Sequence, residues 1–136
     1  MVTDSPAIST PAATVLLVED DDYVRRFVRG VLSNEGYRVV EAQNGAEGLK
    51  IAEETGRIDL LLADMLLPEL SGFDLAEQLL ELRPGLKILF VTGYVEGEIV
   101  QRSISQLGAT FLDKPFTPAA LLQHVRDAIG TTQPGA

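Results

Sequence analysis

Three carboxylates, a hydroxyl and an ammonium stand where four short apolar runs stop. Val15-Leu16-Leu17-Val18 stops at Glu19-Asp20, the run over 58–63 at Asp64, the run over 86–91 at Thr92, and the run over 109–113 at Lys114. Taken singly, each residue has an ordinary use. Asp64 could start a turn, Glu19 and Asp20 could be solvated acids before a helix, Thr92 could end a strand, and Lys114 could pair with any acid. Taken together they form a specific set. Two like charges about 4 Å apart repel by about 4 kcal/mol at an effective dielectric near 20. Three carboxylates against one lysine leave an excess of two negative charges, so either a carboxylate takes up a proton or a divalent cation sits among them. Oxygen donors without His or Cys favour Mg²⁺, which keeps waters and binds through one or two carboxylates plus phosphate oxygens. A carboxylate such as Asp64 can then act as a nucleophile towards phosphorus. The Lys114 ammonium and the Thr92 hydroxyl would face the transferring group, and Gly93 leaves space beside it.

The set exists only if the four runs are strands that point the same way. Runs that are apolar throughout read as strands buried on both faces, and residues 37–41 supply a further strand, second in chain order. Between the strands, apolar residues recur at helical spacing: Val24, Phe27, Val28, Val31 and Leu32; Ala46, Leu49, Ile51 and Ala52; Phe73, Leu75, Ala76, Leu79 and Leu80; Leu121, Leu122, Val125, Ala128 and Ile129. Asp21 or Asp22, Asn44, Ser71 and Thr117-Pro118 mark helix starts. Glycines 36, 56, 85, 108 and 130 mark stops or turns. The helix expected over 96–107 is the thinnest. Its inward set is Val100, Ile104 and Leu107, and Gly97 weakens its start. Five strands alternating with five helices predict a parallel sheet covered on both faces. Ligands in such folds gather outside the carboxyl ends of the strands, where the five polar residues lie.

Composition bounds the rest. The chain has 136 residues, 46 % hydrophobic, with no cysteine and a net charge of −9. That length suits one domain with a real core. The expected division is a leader over 1–13 rich in Ser, Thr, Pro and Ala, a folded unit over 14–130 and a tail over 131–136, with no room for a second domain. Disulfides and thiolate metal sites are excluded. The acidic balance argues against direct nucleic-acid binding. No run approaches a membrane span and no secretory signal opens the chain, so a cytoplasmic location is expected. No phosphate-binding glycine loop is present.

These residues resemble the receiver domain of two-component response regulators. The likeness runs from about Thr14 to Gly130. It rests on Val18-Glu19-Asp20-Asp21, Asp64-Met65-Leu66-Leu67-Pro68, Thr92-Gly93 and Lys114-Pro115-Phe116, in that order. The resemblance implies a flavodoxin-like (βα)5 fold with strand order 2-1-3-4-5. It implies that Asp64 takes a phosphoryl group from a kinase or phosphotransfer-protein phosphohistidine. It implies Mg²⁺ held by Asp20, Asp64 and the Leu66 backbone carbonyl, with Glu19 binding directly or through water, and phosphoryl contacts from Thr92 and Lys114. Phe111, where many members carry Tyr, is expected to lie in the core and to pack inward as Thr92 moves. Glu19 stands where Asp is frequent. Leu66 and Tyr94 occupy the positions that tune dephosphorylation in the family, and Tyr94 and His124 are expected at the surface. The readout surface is expected on the helix over 96–107, the fifth strand and the last helix.

Downstream partner and phosphorylation-dependent dimerisation stay open, as does the choice between a stand-alone receiver and one belonging to a hybrid histidine kinase. Two other classes compete. A small Mg²⁺-dependent phosphatase would use the same nucleophile, but it usually needs an acid two residues after it, where Leu66 stands. A binding module that is never phosphorylated would not need the intact set of acids, Thr92 and Lys114.

Overall fold

The computed structural model describes residues 13–93 and 97–130. The expected leader over 1–12, the tail over 131–136, Tyr94 and the expected helix start at Glu96 lie outside the described residues. In chain order the elements are β1 (Thr14–Val18), α1 (Asp22–Asn34), β2 (Arg38–Ala42), α2 (Gly45–Glu54), β3 (Leu60–Asp64), α3 (Gly72–Leu82), β4 (Lys87–Thr92), α4 (Glu98–Leu107), β5 (Thr110–Asp113) and α5 (Pro118–Ile129). The strands form one parallel sheet in the order β2-β1-β3-β4-β5.

The alternation of side chains along a strand divides the core into two layers. Val15, Leu17, Leu60, Leu62, Leu89 and Val91 pack against Val28 and Leu32 of α1 and Leu121 and Val125 of α5. Their neighbours Leu16, Val18, Leu61, Ala63, Ile88 and Phe90 face the other way. They pack against Ala52 of α2 and Leu75, Ala76 and Leu79 of α3. Leu60, Leu61 and Leu62 are all fully buried. Each contributes on the order of 1.5–3 kcal/mol of transfer free energy, and β3 is the middle strand of the five.

β3 pairs from Leu60 rather than from Ile58. Asp59 ties off its start, donating its N–H to the Thr14 carbonyl at 2.8 Å and accepting the Thr14 N–H on its carboxylate at 2.8 Å. The strand therefore runs on into Asp64, and β4 likewise runs into Thr92.

Four helices begin on a side-chain cap. Asp21, not Asp22, caps α1, accepting from the N–H groups of Tyr23 and Val24 at 2.9 and 3.1 Å. Asn44 caps α2, Ser71 caps α3 and Thr117 caps α5. α4 starts instead at Gly97, with φ at 104° and no side-chain cap. Its inward stripe is Val100, Ser103 and Leu107. Ile104, expected to face the core, is 48 % exposed. The phase of the helix gives the inward position to Ser103, whose hydroxyl is satisfied by the Ile99 carbonyl at 2.8 Å.

Candidate functional site

The carboxyl ends of β1, β3, β4 and β5 bring the five polar residues to one sheet edge. Register fixes their spacing: Asp64 lies opposite Val91, and Thr92 opposite Asp113. Backbone bonds lock the edge, with the Met65 N–H donating to Val91 at 3.1 Å and the Lys114 N–H to Thr92 at 2.9 Å. The carboxylates of Glu19, Asp20 and Asp64 each offer an oxygen within 4.8 Å of the others.

Asp64 is 8 % exposed and both its oxygens are engaged. Oδ1 accepts the Leu66 N–H at 2.8 Å, and Oδ2 accepts the Lys114 ammonium at 2.7 Å. Lys114 Nζ also lies 3.7 Å from Glu19 Oε1. The other Glu19 oxygen accepts the Asp21 N–H at 3.1 Å. Asp20 is exposed, and Thr92 is buried at the end of β4. The Leu66 side chain is 77 % exposed beside the site, its N–H held by Asp64.

Burial pushes the Glu19 carboxyl above its ordinary range, and the Asp64 charge adds to the rise; the Asp21 N–H and Lys114 pull the other way without reversing it. Burial alone would lower the Lys114 ammonium, but its bond to Asp64 and the charges of Asp64, Glu19 and Asp20 together hold it above the usual range. The edge thus carries three carboxylates against one ammonium, at a spacing that a small divalent cation can bridge. The donor atoms are all oxygen, so the residues fit Mg²⁺.

Phe111 is half-buried and packs against the core layer that holds Phe90, the two ring centroids 5.7 Å apart and their planes at 42°. His124 is half-buried on α5, with Nδ1 2.9 Å from the Ala120 carbonyl.

Two residues outside the predicted set shape the site. A Cβ on Gly72 would come within 2.6 Å of the Asp64 carbonyl oxygen and 2.9 Å of Met65 Cα. Only glycine lets α3 start this close to the loop after β3. Its one trace in the sequence is its place after the Ser71 cap. Arg25 donates from Nη1 to the Glu19 carbonyl at 2.8 Å. In the sequence it is one of three α1 arginines, and nothing there separates it from Arg26 and Arg29.

An open parallel α/β sheet with an acidic, lysine-bearing strand edge defines a narrow class of proteins. The family model of the response regulator receiver domain matches residues 15–126, and the chain belongs to that family. It is 38 % identical over 119 residues to the sensor kinase CckA of Brucella abortus, covering 87 % of this chain and 13 % of that protein. It is 36 % identical over 115 residues to the response regulator receiver protein CpdR of the same organism, covering 85 % of this chain and 89 % of CpdR. Among solved structures, the Vibrio cholerae chemotaxis protein CheY4 matches with a TM-score of 0.80 and 31 % identity, over 86 % of this chain and 98 % of that one. The chain is therefore a receiver domain of two-component signalling, with the flavodoxin-like fold and the strand order expected for it. Among the described residues no helix is long and apolar enough to cross a membrane.

Proposed function

We propose that Asp64 accepts a phosphoryl group from the phosphohistidine of a histidine kinase or histidine phosphotransfer protein, and that the resulting aspartyl phosphate switches the surface of α4, β5 and α5. The observation that carries this reading is the 2.7 Å contact between Lys114 and Asp64 within the carboxylate cluster. It puts a cation directly against the nucleophile, where phosphoryl charge will develop.

An Asp64 carboxylate oxygen attacks phosphorus in line with the P–N bond. The O–P bond forms as the P–N bond breaks, and the electron pair leaves with the imidazole. Lys114 exchanges its bond to Asp64 Oδ2 for a phosphoryl oxygen. Glu19, Asp20, Asp64 and the Leu66 carbonyl would hold Mg²⁺, which, when bound, offsets the negative charge of the phosphoryl oxygens. The aspartyl phosphate carries about −1.5 to −2 charge where the carboxylate carried about −1, and it brings new acceptor oxygens to the edge. Thr92 then draws towards the phosphoryl group, Phe111 packs into the space vacated, and α4 shifts. The phosphoryl group works because it contacts the two states differently. Leu66 supplies no acid for a leaving group, which favours a single-acceptor signalling role over phosphoester turnover.

Incubation with acetyl phosphate and Mg²⁺ tests the assignment by intact mass. The wild-type chain gains one phosphoryl group and Asp64→Asn gains none. Uptake by Asp64→Asn would place the acceptor elsewhere.

A further inference from the structure

The acid pair Glu19-Asp20 lies in the short loop between β1 and α1, and one side chain holds that loop from outside. Arg25, one turn into α1, has a side chain only 11 % exposed. Its Nη1 donates to the Glu19 carbonyl at 2.8 Å, its Nη2 to Asp22 Oδ1 at 2.6 Å, and its Nε lies 3.4 Å from Glu41 Oε1 on β2. Arg29 faces the other Glu41 oxygen at 3.4 Å. The Glu19 N–H is tied to the Ala42 carbonyl at 3.1 Å and the Asp21 N–H to Glu19 Oε2 at 3.1 Å. The peptide that carries Asp20 is thus fixed on both sides. Its Glu19 carbonyl is anchored by the guanidinium, and the guanidinium is braced against β2.

We infer that Arg25 is a positioning residue for the acid pair: it sets the Glu19–Asp20 backbone so that both carboxylates meet a divalent cation together with Asp64. The inference rests on the Mg²⁺ reading above. A guanidinium is suited to this because its rigid fork serves a carbonyl, Asp22 and Glu41 at once, while a lysine offers one point charge. Outer partners of this kind set metal affinity by fixing ligand orientation.

Positioning and simple electrostatics predict opposite signs. Taking a cation away from an acidic site strengthens its pull on Mg²⁺, so a charge-only role gives tighter binding in Arg25→Met and no change in Arg25→Lys. Positioning gives weaker binding in both.

The experiment is calorimetric titration of the full chain with Mg²⁺. Alongside it, the initial rate of phosphorylation by acetyl phosphate is followed as a function of Mg²⁺ concentration, with urea unfolding of each variant. Expected are about a tenfold weaker Mg²⁺ affinity in Arg25→Met and an intermediate loss in Arg25→Lys. The half-saturating Mg²⁺ concentration should rise in parallel, and the rate at saturating Mg²⁺ should be kept. Arg29→Met, which breaks only the outer ion pair, should stay within about twofold of wild type. If Arg25→Met unfolds, Arg25→Lys alone decides. Mg²⁺ affinity in the folded variants equal to or tighter than wild type overturns the inference. A wild-type chain that takes up no Mg²⁺ overturns the metal reading, and the inference falls with it.

Discussion

Glu19 is 3 % exposed, yet it carries a carboxylate beside two others, and its pKa is raised by burial and by the Asp64 charge. A carboxyl whose folded pKa lies above its unfolded value favours the folded chain fully below the unfolded value of 4.5. That contribution is lost as pH rises from there through the folded pKa. At neutral pH and without a divalent cation, Glu19 therefore strains the fold. Replacing it by glutamine removes the charge while keeping the shape. Glu19→Gln is expected to melt at a higher temperature than wild type at pH 7 in chelator, with the difference shrinking towards pH 4 and on addition of Mg²⁺ to both. Scanning calorimetry across that pH range checks it, and a Glu19→Gln chain that melts lower at pH 7 in chelator would refute the assignment of strain to this carboxylate. Glu19, Asp20, Asp64, Thr92 and Lys114 were legible in the sequence because a parallel sheet sends every strand end to one edge, so end residues could be grouped without coordinates. Arg25 and Gly72 were not, because their roles depend on which backbone carbonyl a side chain reaches and how closely a helix start meets a loop. Neither leaves a pattern in residue type.

Elements differ in how firmly they are fastened. Arg83, at the end of α3, donates to the carbonyls of Gly56, Ala52 and Thr55 at 3.0, 2.9 and 2.5 Å, which binds α3 to the carboxyl end of α2. α4 has no such clamp among the described residues. It starts on an uncapped Gly97 and buries Val100 and Ser103. Its exposed Arg102 lies over the buried Phe73 ring of α3 at 4.9 Å, a single cation–π contact rather than a set of hydrogen bonds. The thin anchoring was readable from the sparse apolar spacing and from Gly97. The helix phase was not, since Ile104 and Ser103 exchange places between expectation and structure, and a hydroxyl satisfied within its own helix can occupy a buried position that hydrophobicity alone would give to Ile. A glycine N-cap in place of Ser, Asn or Thr costs a few tenths of a kcal/mol, so the amides of α4 are expected to exchange with solvent roughly twofold faster than those of α3 and α5. Their protection should change on adding beryllofluoride with Mg²⁺. Protection in α4 equal to that in its neighbours, and unmoved by beryllofluoride, would remove α4 from the switch.

For the whole molecule the question is how a donor reaches Asp64. The chain carries a net charge of −9, yet beside the acidic edge it exposes aromatic surface. Tyr23 is 83 % exposed and Phe27 is 40 % exposed on α1. Val24, Phe27, Lys114, Pro115 and Phe116 line a cleft of about 380 Å³ that opens next to the lysine on Asp64. The Phe27 and Phe116 rings lie 6.2 Å apart at its wall. A small donor such as acetyl phosphate needs only the polar edge. A protein donor must also bury surface, and exposed aromatics near a reactive centre are where such contacts gain most. Receiver domains interact with histidine kinases and phosphotransfer proteins, so the α1 flank is the expected landing surface. Phe27→Ala is predicted to slow phosphorylation by a cognate phosphohistidine donor by about tenfold, and Tyr23→Ala less, because that ring is more solvated and rests on little. Both variants should accept phosphoryl from acetyl phosphate at a rate near wild type, which separates docking from chemistry. Radiolabel transfer from the phosphorylated donor and intact mass after acetyl phosphate measure the two rates. Equal losses in both assays would mean that Phe27 acts on the site itself, through Phe116 and the backbone of Lys114, and the landing surface would then lie elsewhere on the acidic edge.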